Sequence, residues 1–113
     1  MNKYGAKKIK DPATGYMFDS RKEFIRWCEL RIMERTSKIT DLKRQVKYVL
    51  IPAQCDNRGK VLERECSYIA DFVYYDFALG QQIVEDCKGY KTEAYKLKKK
   101  MLLYFHNIRI KET

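Results

Sequence analysis

Two carboxylates stand inside extended segments that are otherwise apolar, and they limit what the chain can become. Asp71 lies between Ala70 and Phe72 in the run Ser67-Tyr68-Ile69-Ala70-Asp71-Phe72-Val73-Tyr74-Tyr75, part of an extended segment from about Glu63 to Tyr75. Asp86 lies in Gln82-Ile83-Val84-Glu85-Asp86-Cys87-Lys88, a segment entered from a turn near Leu79-Gly80 and ended by Gly89. Side chains alternate across a strand, so Asp86 and Lys88 share one face while Glu85 and Cys87 share the other. An ionised carboxylate inside a strand is costly unless a partner or a metal compensates it. Asp71, Asp86 and Lys88 on neighbouring strands therefore bring two oxygen ligands and one ammonium close together. That group suits metal-assisted phosphodiester hydrolysis. Two carboxylates can hold a hard cation such as Mg²⁺ or Mn²⁺ with positions left open for water and a phosphate oxygen, and a lysine can orient the water or steady the transition state. A plain structural salt bridge is the alternative.

The remaining elements fall around these two strands. Ser20 and Glu23 have capping-box spacing, with Phe18 near the staple position, which predicts a helix from Ser20 to about Arg35. Its Phe24, Ile25, Trp27, Cys28 and Ile32 lie within an arc of roughly 160°, the expected core-facing side. Val46 to Ile51 reads as a strand stopped by Pro52, and Asn57-Arg58-Gly59 as a turn. Thr92 is a plausible N-cap for a second helix from Glu93 to about His106, and Ile108 to Ile110 a last short strand. The order helix, three strands, helix, strand predicts an α/β fold with one small mixed sheet between two helices.

The chain has 113 residues, which fits a single domain. Residues 1–15 are expected to be a basic N-terminal arm carrying Lys3, Lys7, Lys8 and Lys10, mobile until something anionic orders it, and residues 16–113 to be the domain. Lys and Arg total 24 against 15 Asp and Glu, a formal charge of +9. That excess points to a polyanionic partner, nucleic acid before an anionic membrane surface. No apolar stretch approaches the roughly 20 residues of a spanning helix. Met1 to Lys10 does not read as a secretory leader, so a cytoplasmic protein is expected. Cys28, Cys55, Cys66 and Cys87 form no CxxC pair, and reduced, mostly buried thiols are expected rather than zinc or disulfides. His106 is the only histidine, which argues against chemistry needing a histidine pair.

These residues resemble a known family. Asp71 followed by Asp86-Cys87-Lys88, with an upstream helix bearing an acid, is similar to the PD-(D/E)XK nuclease superfamily and its restriction-endonuclease-like fold. Phe18 to Glu23, Tyr68 to Asp76, Val84 to Gly89 and Lys91 to Lys98 more narrowly resemble a small phage-encoded nuclease-like family close to Holliday-junction resolvases, over residues 16–110. No proline precedes Asp71, and Asp86 replaces the commoner glutamate. Glu85 thus stays open as the strand ligand, although strand alternation favours Asp86. The resemblance implies a Mg²⁺- or Mn²⁺-dependent endonuclease acting on DNA, branched DNA included, as a homodimer beside phage replication or recombination proteins. It also implies that Glu23 is a third metal-binding acid; the helical wheel alone does not separate Glu23 from Glu29. The competing reading is a non-catalytic nucleic-acid-binding or partner-regulating module on the same fold.

The second helix supplies candidate DNA contacts. Lys98 points into the middle of an apolar arc formed by Ala94, Tyr95, Leu97, Met101, Leu102, Tyr104 and Phe105, so it either snorkels or reaches an anion near the acids. Thr92 and Tyr95 lie toward the helix N-terminus, where backbone N–H groups favour phosphate. Lys91, Lys96, Lys99 and Lys100 would touch phosphates without reading sequence, unless they form an ordinary solvated face.

Overall fold

The structure, a computed structural model, describes residues 8–87 and 90–113. Lys3, Lys7 and Lys88 lie outside the described residues.

The described part of the basic arm is built into the fold. Strands β1 (Ile9–Lys10) and β2 (Met17–Phe18) pair antiparallel. Asp11 closes the turn between them: its carboxylate accepts from the Ala13 N–H at 3.0 Å and the Thr14 hydroxyl at 2.8 Å, and more distantly from Trp27 Nε1 at 3.4 Å. These donors hold the Asp11 carboxyl below its usual range, the Thr14 hydroxyl contributing most. The last part of the expected basic arm, residues 8–15, thus carries β1 and the Asp11 turn.

Helix α1 (Arg21–Arg35) starts where its cap predicts, with the Glu23 N–H donating to Ser20 Oγ at 3.1 Å. Its inner face differs from the expected one. Glu23, Trp27 and Leu30 are buried, whereas Ile25 and Ile32 are about half exposed and Cys28 is exposed. The spacing i, i+4, i+7 centres on Trp27, whose ring lies over Phe72 at 6.1 Å and beside Phe18 at 5.8 Å. A wheel that counts only apolar residues misses an inner stripe containing a glutamate. Of the cysteines, all four are free, and Cys28 and Cys55 are exposed rather than buried.

Strand β3 (Ile39–Ile51) is thirteen residues long, far longer than the predicted 46–51, because its polar first half pairs with β6 (Cys66–Asp76) as well as its apolar second half. Between them the chain runs out through β4 (Gln54–Cys55) and β5 (Val61–Glu63), a small outer hairpin. Strand β7 (Gln81–Asp86) pairs antiparallel with β6. Helix α2 (Glu93–His106) then crosses over, and β8 (Ile110–Glu112) joins β7 in parallel. The main sheet has the order β3-β6-β7-β8. The protein is thus a mixed α/β fold with one mixed sheet and two helices.

The helices cover opposite faces. Trp27 and Leu30 of α1 pack with Phe18, Ile39, Phe72, Tyr74 and Ile83, while Tyr95 and Leu102 of α2 pack with Leu50, Tyr68, Ala70, Val73, Val84 and Ile110. Regular alternation would keep Tyr68, Ala70, Phe72 and Tyr74 on one face. Instead, Tyr68 and Ala70 face α2, and Phe72 and Tyr74 face α1. Strand β3 switches at the same level: Leu42 lies in the α1 core, and Val46, Tyr48 and Leu50 in or against the α2 core. Gln45 takes a left-handed φ of 55° at this point, between the pairs Arg44↔Phe72 and Val46↔Ala70. The residue bracketed on the other strand is Asp71.

Candidate active site

The break in alternation sets Asp71 beside Asp86, whose backbone follows from β7. Asp86 is fully buried and its carboxylate accepts a close hydrogen bond from the Tyr68 hydroxyl. Asp71 Oδ2 accepts from the Cys87 N–H at 2.8 Å. Burial, first, and then contact with the Asp86 carboxylate push the Asp71 carboxyl up to about 8, with Glu23 adding to the repulsion and the Cys87 N–H opposing it. At neutral pH the Asp71 carboxyl therefore largely keeps its proton. The Tyr68 hydroxyl is held well above its usual range by burial and by donation to Asp86.

Glu23 comes to the same acids from α1. It is buried, and its carboxyl is raised by burial and then by Asp19, with Asp86 adding a smaller push; Arg44 opposes these. The Arg44 ion pair is long, 3.9 Å to Glu23 Oε1, and that oxygen has no hydrogen-bond partner among the described residues. Arg44 is held instead by the Met17 carbonyl at 2.8 Å and by the faces of Phe18 and Tyr16. Glu29, the alternative helix acid, is exposed and pairs with Arg26 at 3.2 Å, away from the cluster.

Glu85 points the other way. It is fully buried on the α1 side, where Arg26 Nε and Nη2 donate to it at 2.6 and 2.9 Å and the Tyr74 hydroxyl at 2.6 Å. These partners hold its carboxyl below the usual range although burial opposes them. Of the two acids on β7, Asp86 is the one beside Asp71.

On the α2 side of the acids opens a cleft of about 330 Å³, lined by Ser67, Tyr68, Thr92, Tyr95 and Lys98. Lys98 is half-buried there and forms no ion pair with a described residue. The other candidate contacts are engaged. The Thr92 hydroxyl caps α2, accepting from the Tyr95 N–H at 3.0 Å. Tyr95 is buried and donates to Glu112 at 2.7 Å. Lys99 and Lys91 pair with the same Glu112 at 3.0 and 3.4 Å, and these contacts, Tyr95 first, lower its carboxyl to about 2. Lys96 pairs with Glu93 at 3.3 Å. Lys100 is exposed on the outer side of the helix. Lysine spacing alone does not signal Glu112, which reaches the helix from β8.

Tyr68 and Arg44 are absent from the sequence reading of the site. Tyr68 stands three residues before Asp71, so simple alternation places it on the opposite face; only the break at Gln45 brings both to Asp86. Arg44 reaches Glu23 through tertiary packing, which leaves no local mark.

As a fit to a divalent cation, the donor set is Asp71 with Asp86. Among the described residues no three His, Cys, Asp or Glu side chains converge tightly enough to enclose a metal ion. Glu23 acts on the pair as a nearby charge. This matches what Mg²⁺ commonly accepts, one or two carboxylates with water and substrate oxygens completing its shell, rather than a closed protein cage.

Residues 1–112 match a protein family described as "Protein of unknown function (DUF1064)". The chain belongs to this family. No curated protein matches it, and no solved structure does. The DUF1064 chain has no helix, among the described residues, long and apolar enough to cross a membrane.

Proposed function

We propose that this DUF1064 protein is a divalent-metal-dependent DNA endonuclease of the PD-(D/E)XK type, structure-selective in the manner of junction resolvases. The observation that carries the reading is the Asp71–Asp86 pair. Two carboxylates are held together by strand geometry, one buried outright, with Glu23 adding negative charge and Arg44 standing 3.9 Å from Glu23. Such a pair destabilises the fold when ionised, and a fold keeps that cost where function needs it. With the two short hairpins set aside, the elements run α1, β3, β6, β7, α2, β8, the order expected of the restriction-endonuclease-like fold.

Asp71 and Asp86 would hold Mg²⁺ or Mn²⁺. The ion supplies a water of lowered pKa and offsets charge gathering on the phosphate. The side chains do the rest. Tyr68 fixes the Asp86 carboxylate by donating to it, and the Cys87 N–H fixes Asp71. The proton on Asp71 would leave when both carboxylates serve as ligands, so binding strengthens as pH rises. Lys98, in the adjoining cleft, is placed to meet a phosphate, and Lys88 is the candidate for orienting the attacking water. Glu23 keeps the local potential negative and favours a cation over further arginine pairing. A homodimer in the host cytoplasm, acting with phage replication or recombination proteins, is the setting proposed for this activity.

The test is incubation of the purified protein with four-way-junction and linear DNA in Mg²⁺, Mn²⁺ or EDTA, beside Asp86→Ala and Asp71→Asn. The reading expects metal-dependent cuts, favouring the junction and absent from both variants, while circular dichroism shows both folded. Salt-sensitive binding without cuts in either metal would overturn it and leave a nucleic-acid-binding module.

A further inference from the structure

The Glu85 network has no part in that chemistry, yet it forms one wall of a second cleft. On the α1 side of the sheet, Arg26 grips Glu85, and Thr113 Oγ1 donates to Glu85 Oε2 at 3.1 Å while meeting Cys87 Sγ at 3.1 Å. Against this fixed wall lies an open cleft of about 530 Å³, lined by Arg21, Lys22, Ile25, Cys87 and Lys111 among others. Its floor is apolar, with Ile25, about half exposed, and Cys87 among its lining. Its rim is cationic: Arg21, Lys22 and Lys111 are exposed and make no ion pair with a described residue. The acid on this rim, Glu29, is turned to Arg26.

We propose that this cleft is a second binding site, distinct from the Asp71–Asp86 cluster, for a phosphate monoester that carries an aromatic or apolar body. A nucleotide and a 5′-phosphorylated strand end share that chemistry. Three arguments support the class of ligand. The volume lies in the range of small-molecule sites, roughly 300–1,000 Å³. Three cations on one rim, none paired with a described residue, favour an anionic ligand, and a phosphate dianion with several acceptors matches them better than one carboxylate. The apolar floor gives the non-phosphate part a surface that bare phosphate would leave unused. The site does not depend on the nuclease reading. It adjoins the acids through Cys87, whose side chain lines the cleft while its N–H binds Asp71.

The test is titration of the whole chain with AMP, adenosine and inorganic phosphate, followed by calorimetry and by amide NMR shifts. AMP is expected to bind saturably and more tightly than either fragment, shifting amides of α1 and β8. Lys111→Glu and Arg21→Glu, both surface changes, should each weaken AMP by about tenfold or more, the worth of one good charge contact, while Asp71→Asn still binds it. Competition by a 5′-phosphorylated but not a 5′-hydroxyl oligonucleotide assigns the cleft to strand ends; its absence assigns it to free nucleotides. Adenosine binding as well as AMP, or AMP affinity unchanged in both charge variants, would overturn the proposal. Loss of DNA cleavage in Asp86→Ala leaves it untouched.

Discussion

Replacing Asp71 by asparagine should make the metal-free protein more stable, although it removes a buried, hydrogen-bonded group. An amide keeps the acceptor for the Cys87 N–H, now met at 2.8 Å, and can donate to Asp86 where the wild type needs a proton. The Asp71 carboxyl is pushed from 3.8 to about 8, so between those values the folded chain binds more protons than the unfolded one. Stability therefore falls as pH rises through that window. At about 1.4 kcal/mol per pH unit, the penalty at pH 7 has a ceiling of about 4 kcal/mol. Side-chain relaxation and water entry reduce it, and an effective interior dielectric nearer 20 than 4 leaves about 1–2 kcal/mol. For a chain this size that gain raises Tm by about 3–10 °C. The assay is thermal unfolding of both proteins in EDTA at pH 4 and pH 7.5. Asp71→Asn is expected to melt higher at pH 7.5 and with the wild type at pH 4. A variant that melts lower at pH 7.5, or whose gain is the same at both pH values, would refute the reasoning.

Three further outcomes follow from the packing. Arg26→Met strands Glu85 in the core with only neutral donors left, and should cost about 3 kcal/mol in urea unfolding, with the loss easing as pH falls and Glu85 takes up a proton. Thr92→Ala removes the cap of α2 and should cost about 1 kcal/mol in the same measurement. Gln45→Gly relieves a left-handed residue in mid-strand and should hold or raise stability by up to about 1 kcal/mol; a loss above 1 kcal/mol would show that the Gln45 side chain has its own role.

How far the sequence carries depends on the range of the interaction involved. Both helices begin where Ser20 and Thr92 stand, because a capping hydroxyl is read by an N–H three residues away. Alternation along β7 separates Glu85 from Asp86 as observed, again a local rule. The inner face of α1 is lost because Glu23 lies on it; a buried acid looks like a surface residue until its neighbours are known. The first half of β3 is hidden because Leu42 is the one apolar residue from Thr40 to Gln45, and its pairing comes from β6 across the sheet. The alternation break at Gln45 and Asp71 is also hidden, since neither residue type announces a left-handed bend. With it go Tyr68 and the raised carboxyl of Asp71. The lysines of α2 carry the right charge for DNA in the sequence, yet Glu112, distant along the chain, occupies Lys91 and Lys99.

The most direct test of the central claim, that a divalent cation belongs between Asp71 and Asp86, is Mn²⁺ binding followed by electron paramagnetic resonance at pH 7.5. The wild type is expected to bind Mn²⁺ saturably, with displacement by Mg²⁺ and weakening as pH falls below about 8, where the Asp71 proton competes. The double variant Asp71→Asn, Asp86→Asn should bind none above background while remaining folded. Equal binding by the wild type and the folded double variant, or no saturable binding by the wild type, would contradict the account.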